Sequence, residues 1–340
     1  MREMMIRDRL ALENLEEEVL SSKATLSKNS IGRLKEEGAC PWRTAFQRDR
    51  DRILHSKSFR RLKHKTQVFI APEQDHYRTR LTHTLEVSQI ARTLARTLCL
   101  NEDLTEAMAL GHDLGHTPFG HSGEKILEEI HPGGFKHNQQ SLRVVDFLEH
   151  SENRQGLNLT LEVRDGIVNH SGDHVAKTPE GKLIKYADRI AYINHDIEDA
   201  IRAGILKQED LPKDTLKYLG ATKSQRITTL IQGIVHYYSQ TGQVGMDEKI
   251  YETMMELRQF MFQQVYLNPL AKGDEGKIRK VITDLYTYYL TEDLPEDHIS
   301  LYKGRKDSRQ DQVCDYIAGM TDRFAMQCWT DLFMPKHWKG

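Results

Sequence analysis

Residues 112–124, HDLGHTPFGHSGE, place His112, His116 and His121 with Asp113 and Glu124 inside thirteen positions. Imidazoles and carboxylates at this density can hold a divalent cation or pass protons near neutral pH. His83 heads the series His83, Val87, Ile90, Leu94, the i, i+4, i+7, i+11 progression of one apolar helical face, so its ring is predicted to point inward. Leu104, Met108 and His112 are spaced by four, which turns His112 toward the same interior with Asp113 directly after it. Asp188 falls between Ile184 and Ala191 on one stripe of a third segment. Buried carboxylates without partners either protonate or take up a cation. Two imidazoles and two carboxylates converging from three segments suit Mn, Fe, Co, Ni or Zn, and can serve Mg. Plainer readings stand beside this one. A buried His is ordinarily a hydrogen-bonded core residue; His116 can face a helix dipole, His137 can be a solvated loop residue, and Glu124 can belong to the first turn of a helix.

The elements that must position these residues read as helices, and convincing alternating strand patterns are scarce, so the expected class is all-α. The chain has 340 residues, 38% of them apolar and 29% charged, with a formal net charge of −2. That is enough to bury a core. A helix is predicted over 77–98, with Leu81, Leu85, Leu94 and Leu98 at helical intervals. A second opens at the N-cap Asn101, with Asp103 in its first turn, and ends near Gly115–Pro118. A third spans 181–204, and loops are expected at 131–137, 150–158 and 170–181. The expected organisation is an N-terminal helical and basic segment over 1–74, a metal-site unit over 75–200, and C-terminal helices over 201–340 completing one globular unit. Cys40, Cys99, Cys314 and Cys328 form no C-x-x-C pair, and no run of eighteen apolar residues occurs. Neither a disulfide framework, a signal peptide nor a membrane span is expected, which fits a cytoplasmic protein.

The arrangement His83, His112-Asp113, Asp188 resembles that of the HD-domain metal phosphohydrolases. More narrowly, RTAFQRDRDRILHSKSFRRLKHKTQVF, YRTRLTHTLEVSQIAR, EAMALGHDLGHTPFGHSGE, GGFKHNQQSLRVV, YADRIAYINHDIEDA and DYIAGMTDRF resemble, in order, the bacterial dGTPase-like deoxynucleoside triphosphate triphosphohydrolases. The resemblance implies attack of water on the α-phosphorus of a dNTP, with His83, His112, Asp113 and Asp188 holding a divalent ion, Mg or Mn in function. It implies His121 as the principal general acid, oriented by Glu124, with His116 and His137 binding phosphate or assisting proton transfer. It places Tyr192 against the deoxyribose and Gln67 near the sugar. Arg80, three residues before His83, is suited to a phosphate oxygen, and Tyr192 and Asp196 continue the face of Asp188 at i+4 and i+8. Arg80 can equally be an ion-pair member and Tyr192 a core aromatic. A homo-oligomer with dNTP activator sites between subunits is also implied.

Two other readings compete: an HD phosphodiesterase acting on a signalling nucleotide, and a nucleotide-responsive regulator with a vestigial site. The doublet His195-Asp196 lies on the Asp188 segment and reads as pocket wall. GDEGK at 273–277 is too short for a phosphate-binding P-loop. Residues 43–65 hold nine Lys or Arg against two Asp. Such a run is usually a solvated face; with few aromatics near it, nucleotide binding at a site or subunit interface is favoured over nucleic-acid binding.

Overall fold

Thr79 sets where the first site-bearing helix begins. In the computed structural model, which describes residues 6–67, 77–151, 154–268 and 274–335, its hydroxyl accepts from the Thr82 amide, and the helix runs Arg80–Thr97. The preceding residues are held extended, with the Arg80 amide donating to the Lys65 carbonyl at 3.0 Å. Tyr77 and Arg78 therefore lie outside the helix predicted to start at 77. His83, Val87, Ile90 and Leu94 are all buried, as their spacing requires. Leu85 is 49% exposed: the helical leucine series does not mark one face, because Leu85 lies on the solvent side.

The next helix, Glu102–Gly111, is capped by Asn101, whose side chain accepts from the Leu104 amide at 3.1 Å. It ends earlier than Gly115–Pro118. The Ser141 hydroxyl donates to the His112 carbonyl at 2.7 Å and accepts from the Gly115 amide at 2.9 Å, so a neighbouring helix takes groups that a continuing helix would use. The approach is close enough to exclude a side chain: a Cβ at Gly115 would stand 2.1 Å from the Ser141 nitrogen and 2.3 Å from the Gln140 carbonyl carbon. Backbone cannot move aside as a side chain can. Gly115→Ala is expected to destabilise the protein by about 3 kcal/mol or more, read by denaturant melting; an unchanged midpoint would contradict this packing.

The third helix, Pro179–Arg202, opens with Thr178 as N-cap and proline in its first turn. It packs against both earlier helices and carries Asp188 near its middle. His137 opens a short helix, His137–Arg143, where a loop residue was expected. Among the described residues there are sixteen α-helices and one two-stranded antiparallel sheet, His150–Ser151 with Arg154–Gln155, so the fold is all-α. Val68 and Phe69 of the KTQVF motif, the expected boundary at 74/75, Glu152, Asn153 and Gly273 lie outside the described residues.

Buried apolar side chains form two clusters. The larger spans Phe46 to Val265 and takes residues from all three expected segments. The smaller joins Phe119, Ile126 and Leu127 to Ile278, Ile282, Val313, Ile317 and Ala325. Leu114 belongs to the first cluster and Phe119 to the second, so the HDLGHTPF segment stitches the two cores together. Phe119 (φ 61°) and Gly120 (φ 58°) are both left-handed. That reversal redirects the chain into the helix Gly120–Ile130.

Much of the basic run 43–65 is taken up internally. Arg43 pairs with Asp51, Arg48 and Arg52 with Glu37, and Arg50 with Asp103 and Glu106. Lys65 is buried and donates to the carbonyls of His116 and Ala318. Burial pushes its ammonium down to about 7. Lys57, Arg60, Arg61 and Lys63 remain exposed, so the solvated face expected of the run lies in its second half.

Candidate active site

The three long helices bring His83, His112, Asp113 and Asp188 together. His83 Nε2 is 3.1 Å from Asp188 Oδ1. His112 Nε2 is 3.6 Å from Asp113 Oδ1 and 4.0 Å from Asp188 Oδ1. His112 Nδ1 donates to the Ala109 carbonyl at 2.6 Å, leaving a lone pair on Nε2, which is buried and has no hydrogen-bond partner among the described residues. A buried lone pair facing two carboxylates is unfavourable unless a cation sits among them. One donor atom each from His83, His112 and Asp113 lies within 4.8 Å of the others. The residues present fit a divalent metal ion.

Electrostatics agree with that reading. Burial opposes ionisation of Asp113, but His112, Arg80, His116 and His83 hold its carboxyl well below the usual range. Burial also opposes ionisation of Asp188, where His83, then His112 and His170, outweigh it. Both carboxylates are therefore charged across the physiological range.

Past the Phe119 turn, Glu124 is the hub of a second group. Its Oε1 accepts from His137 Nδ1 at 2.8 Å and from the His137 amide at 2.9 Å. His121 Nδ1 and His116 Nε2 are farther from Oε2, at 3.7 and 3.6 Å. Glu124 is thus shared: its Oε1 holds His137, because the start of the His137–Arg143 helix delivers both a ring nitrogen and an amide to that oxygen, while its Oε2 faces His121, the partner the resemblance implies. Burial opposes ionisation of Glu124, but His121, His137 and His116 hold it far below the carboxylate range. His137 is raised, burial being outweighed by its bond to Glu124. His116 is pushed well below its ordinary value by burial and by Arg80. The His121 side chain is 71% exposed, at the mouth of the cavity.

A cavity of about 620 Å³ is lined by Gln67, Arg80, His83, Asp113, His116 and His121, and by His137, Asp188, Tyr192 and Asp196. His112 and Glu124 stand behind that wall. Arg80 Nη1 donates to Asp113 Oδ2 at 2.7 Å, so Arg80 is an ion-pair member, while its buried Nε and Nη2 have no partner among the described residues. Gln67 Oε1 is likewise without one. The Tyr192 hydroxyl accepts from Arg258 Nε at 2.6 Å. Asp196 accepts from the Tyr266 hydroxyl, and burial pushes its carboxyl up to about 7. His195 faces away to Glu86 at 2.9 Å.

Several lining residues escaped the sequence reading: His170, Lys125, Lys185, Arg189, Arg258 and Tyr266. Lys185 was within reach, since it precedes Asp188 by three on one helix. Arg258 and Tyr266 arrive from the distant segment of helices Glu248–Met261 and Phe262–Tyr266, and no local spacing announces them.

Residues 80–193 match the HD domain, and residues 244–331 match the phosphohydrolase-associated domain. A deoxyguanosinetriphosphate triphosphohydrolase-like protein of Caldanaerobacter subterraneus subsp. tengcongensis is 53% identical over 328 residues, covering 96% of each chain. Proteins with the same description from Clostridium tetani (46% identical, 98% of this chain and 97% of that one) and Geobacter sulfurreducens (38% identical, 95% and 97%) are also similar. Among the described residues, no helix is long and apolar enough to cross a membrane.

Proposed function

The chain belongs to the HD-domain family of deoxyguanosinetriphosphate triphosphohydrolase-like phosphohydrolases, and on that premise we propose that it hydrolyses dNTPs, dGTP or a broader set, to deoxynucleoside and inorganic triphosphate. The oxygen of water bonds to the α-phosphorus and gives up a proton to solvent, the bond from that phosphorus to the 5′-oxygen breaks, and the 5′-oxygen takes a proton. A divalent ion held by His83, His112, Asp113 and Asp188, Mg or Mn in the working enzyme, supplies Lewis acidity at phosphate and lowers the pKa of a water.

The chain's own groups do the rest. His121 donates the proton that the departing 5′-oxygen needs, with the Glu124 carboxylate 3.7 Å from its Nδ1. His116 stays neutral and offers a donor to phosphate oxygen. Arg80 has Nε and Nη2 available for a phosphate, anchored through Nη1 by Asp113. Lys125, Lys185 and Arg189 line the same cavity and oppose the triphosphate charge. The Tyr192 ring, fixed through its hydroxyl by Arg258, packs under the sugar and leaves no room for a 2′-hydroxyl, and Gln67 Oε1 accepts from a sugar hydroxyl.

One observation carries this reading: His83, Asp113 and Asp188, backed by the unpartnered Nε2 of His112, share a cavity with His116, His121 and His137 and a cationic wall. Incubation with each dNTP and Mg, Mn or Co, followed by phosphorus NMR and chromatography, tests it. Deoxynucleoside and triphosphate are the expected products. Nucleoside monophosphate with pyrophosphate would overturn the assignment.

A further inference from the structure

Asp322 is not part of the cavity wall, yet it binds two segments that build it. It stands in the first turn of the helix Asp322–Phe333, is 3% exposed, and belongs to the phosphohydrolase-associated domain. Its Oδ1 accepts from the Phe119 amide at 2.8 Å. Its Oδ2 accepts from the Thr66 amide at 3.0 Å and from the Thr66 hydroxyl. One buried carboxylate thus takes three donors from two segments distant in sequence.

Both segments lead straight into the site. Gln67, which follows Thr66, lines the cavity, as do Phe119, His121 and Ser122. Phe119 is the left-handed turn (φ 61°) from which the helix Gly120–Ile130 departs, and no side chain caps that helix at Phe119. A non-glycine residue in this region is strained and persists only where its surroundings hold it. The Asp322 carboxylate is such a hold, and it fixes the direction in which His121 leaves the turn. The two tied segments also touch: a Cβ at Gly120 would stand 3.0 Å from the Gln67 carbonyl oxygen and 3.3 Å from that of Thr66. The Arg80 amide, donating to the Lys65 carbonyl at 3.0 Å, joins the helix of His83 to the same knot. Lys65 makes a second tie between the domains through the carbonyls of His116 and Ala318.

We infer that Asp322 is a positioning residue for the proposed reaction: through this carboxylate the associated domain fixes where His121 and Gln67 stand in the cavity. The inference rests on the role proposed for His121. The arrangement demands a carboxylate. An amide has one acceptor oxygen, and in either orientation its NH2 would face a backbone N–H, that of Phe119 or that of Thr66. Asp322→Asn therefore keeps the volume and loses one of the two holds.

The test is Asp322→Asn in the full chain. Hydrogen exchange followed by mass spectrometry should show peptides covering 117–125 or 62–67 exchanging about 10-fold faster or more, with 84–97 unchanged. Ion content should stay at the wild-type level, since Asp322 bonds to none of the four metal ligands. Turnover of the preferred dNTP should fall about 10²-fold in kcat, against no more than about 10-fold on a triphosphate ester of 4-nitrophenol, whose phenolate departs without a proton. In a His121→Ala background the same substitution should cost little more, because the two act as one unit. Thr66→Val removes a single donor and keeps the amide, so it should fold whatever Asp322→Asn does; a loss of about 3- to 10-fold with the same leaving-group contrast is expected of it. Unchanged exchange in both segments, equal losses on the two substrates, or full additivity with His121→Ala would overturn the assignment and leave Asp322 as a residue of stability alone. The exchange result needs no turnover. A wild type that releases no triphosphate from any dNTP would retract the proposed reaction, and exchange would still decide whether Asp322 holds the two segments.

Discussion

Asp113→Ala is expected to lose bound ion and turnover together and to lower stability as well, because one carboxylate answers to two demands. Arg80 is 2% exposed and donates to Asp113 Oδ2 at 2.7 Å. Removing the carboxylate leaves that guanidinium charge buried and uncompensated, a loss of about 3–5 kcal/mol for a broken buried pair. Asp113→Asn separates the effects. Its amide oxygen can still accept from Arg80 and its volume is unchanged, so melting should move far less than in Asp113→Ala. The negative charge is gone in both, so elemental analysis after gel filtration should find ion depleted in both, and turnover should fall by about 10³-fold or more. An Asn variant that keeps its full ion content and activity would remove Asp113 from the metal site.

The parts of this site that were legible in the sequence are those where one helix makes the geometry. A ring at His83 must share the apolar face of Val87, Ile90 and Leu94, and all four are buried. Four-residue spacing likewise carried His112 inward from Leu104 and Met108. What failed was local in another sense. The Glu102–Gly111 helix stops early because Ser141, thirty residues away in sequence, captures its last carbonyl and the Gly115 amide. Nothing in DLGHTP names Ser141. The resemblance implies Glu124 as the partner of His121, and no spacing announces its closer partner, His137, delivered by the next helix start. His170 looked like the first residue of a polar loop. Only the fold shows that its Nδ1 is tied to Ile167, which aims the other nitrogen at His137. Side chains whose roles depend on a partner's position become readable only when both elements are in place.

His121→Ala should separate proton transfer from metal binding. The side chain is 71% exposed, its nearest charged partner is Glu124 at 3.7 Å, and it is outside the His83, His112 and Asp113 donor cluster. Truncation should therefore leave stability and ion content unchanged. The departing 5′-alkoxide of a nucleoside is a strong base, and losing the acid that protonates it should lower kcat by about 10²- to 10⁴-fold with little change in KM. A substrate with the same triphosphate but a 4-nitrophenol leaving group departs as a stable anion and needs no acid. On that substrate the variant should lose no more than about 10-fold. The contrast between leaving groups is what a merely structural role cannot reproduce. Equal losses on both substrates would mean that His121 positions the phosphate, and loss of ion would place it in the metal site; either result removes it from the role of acid.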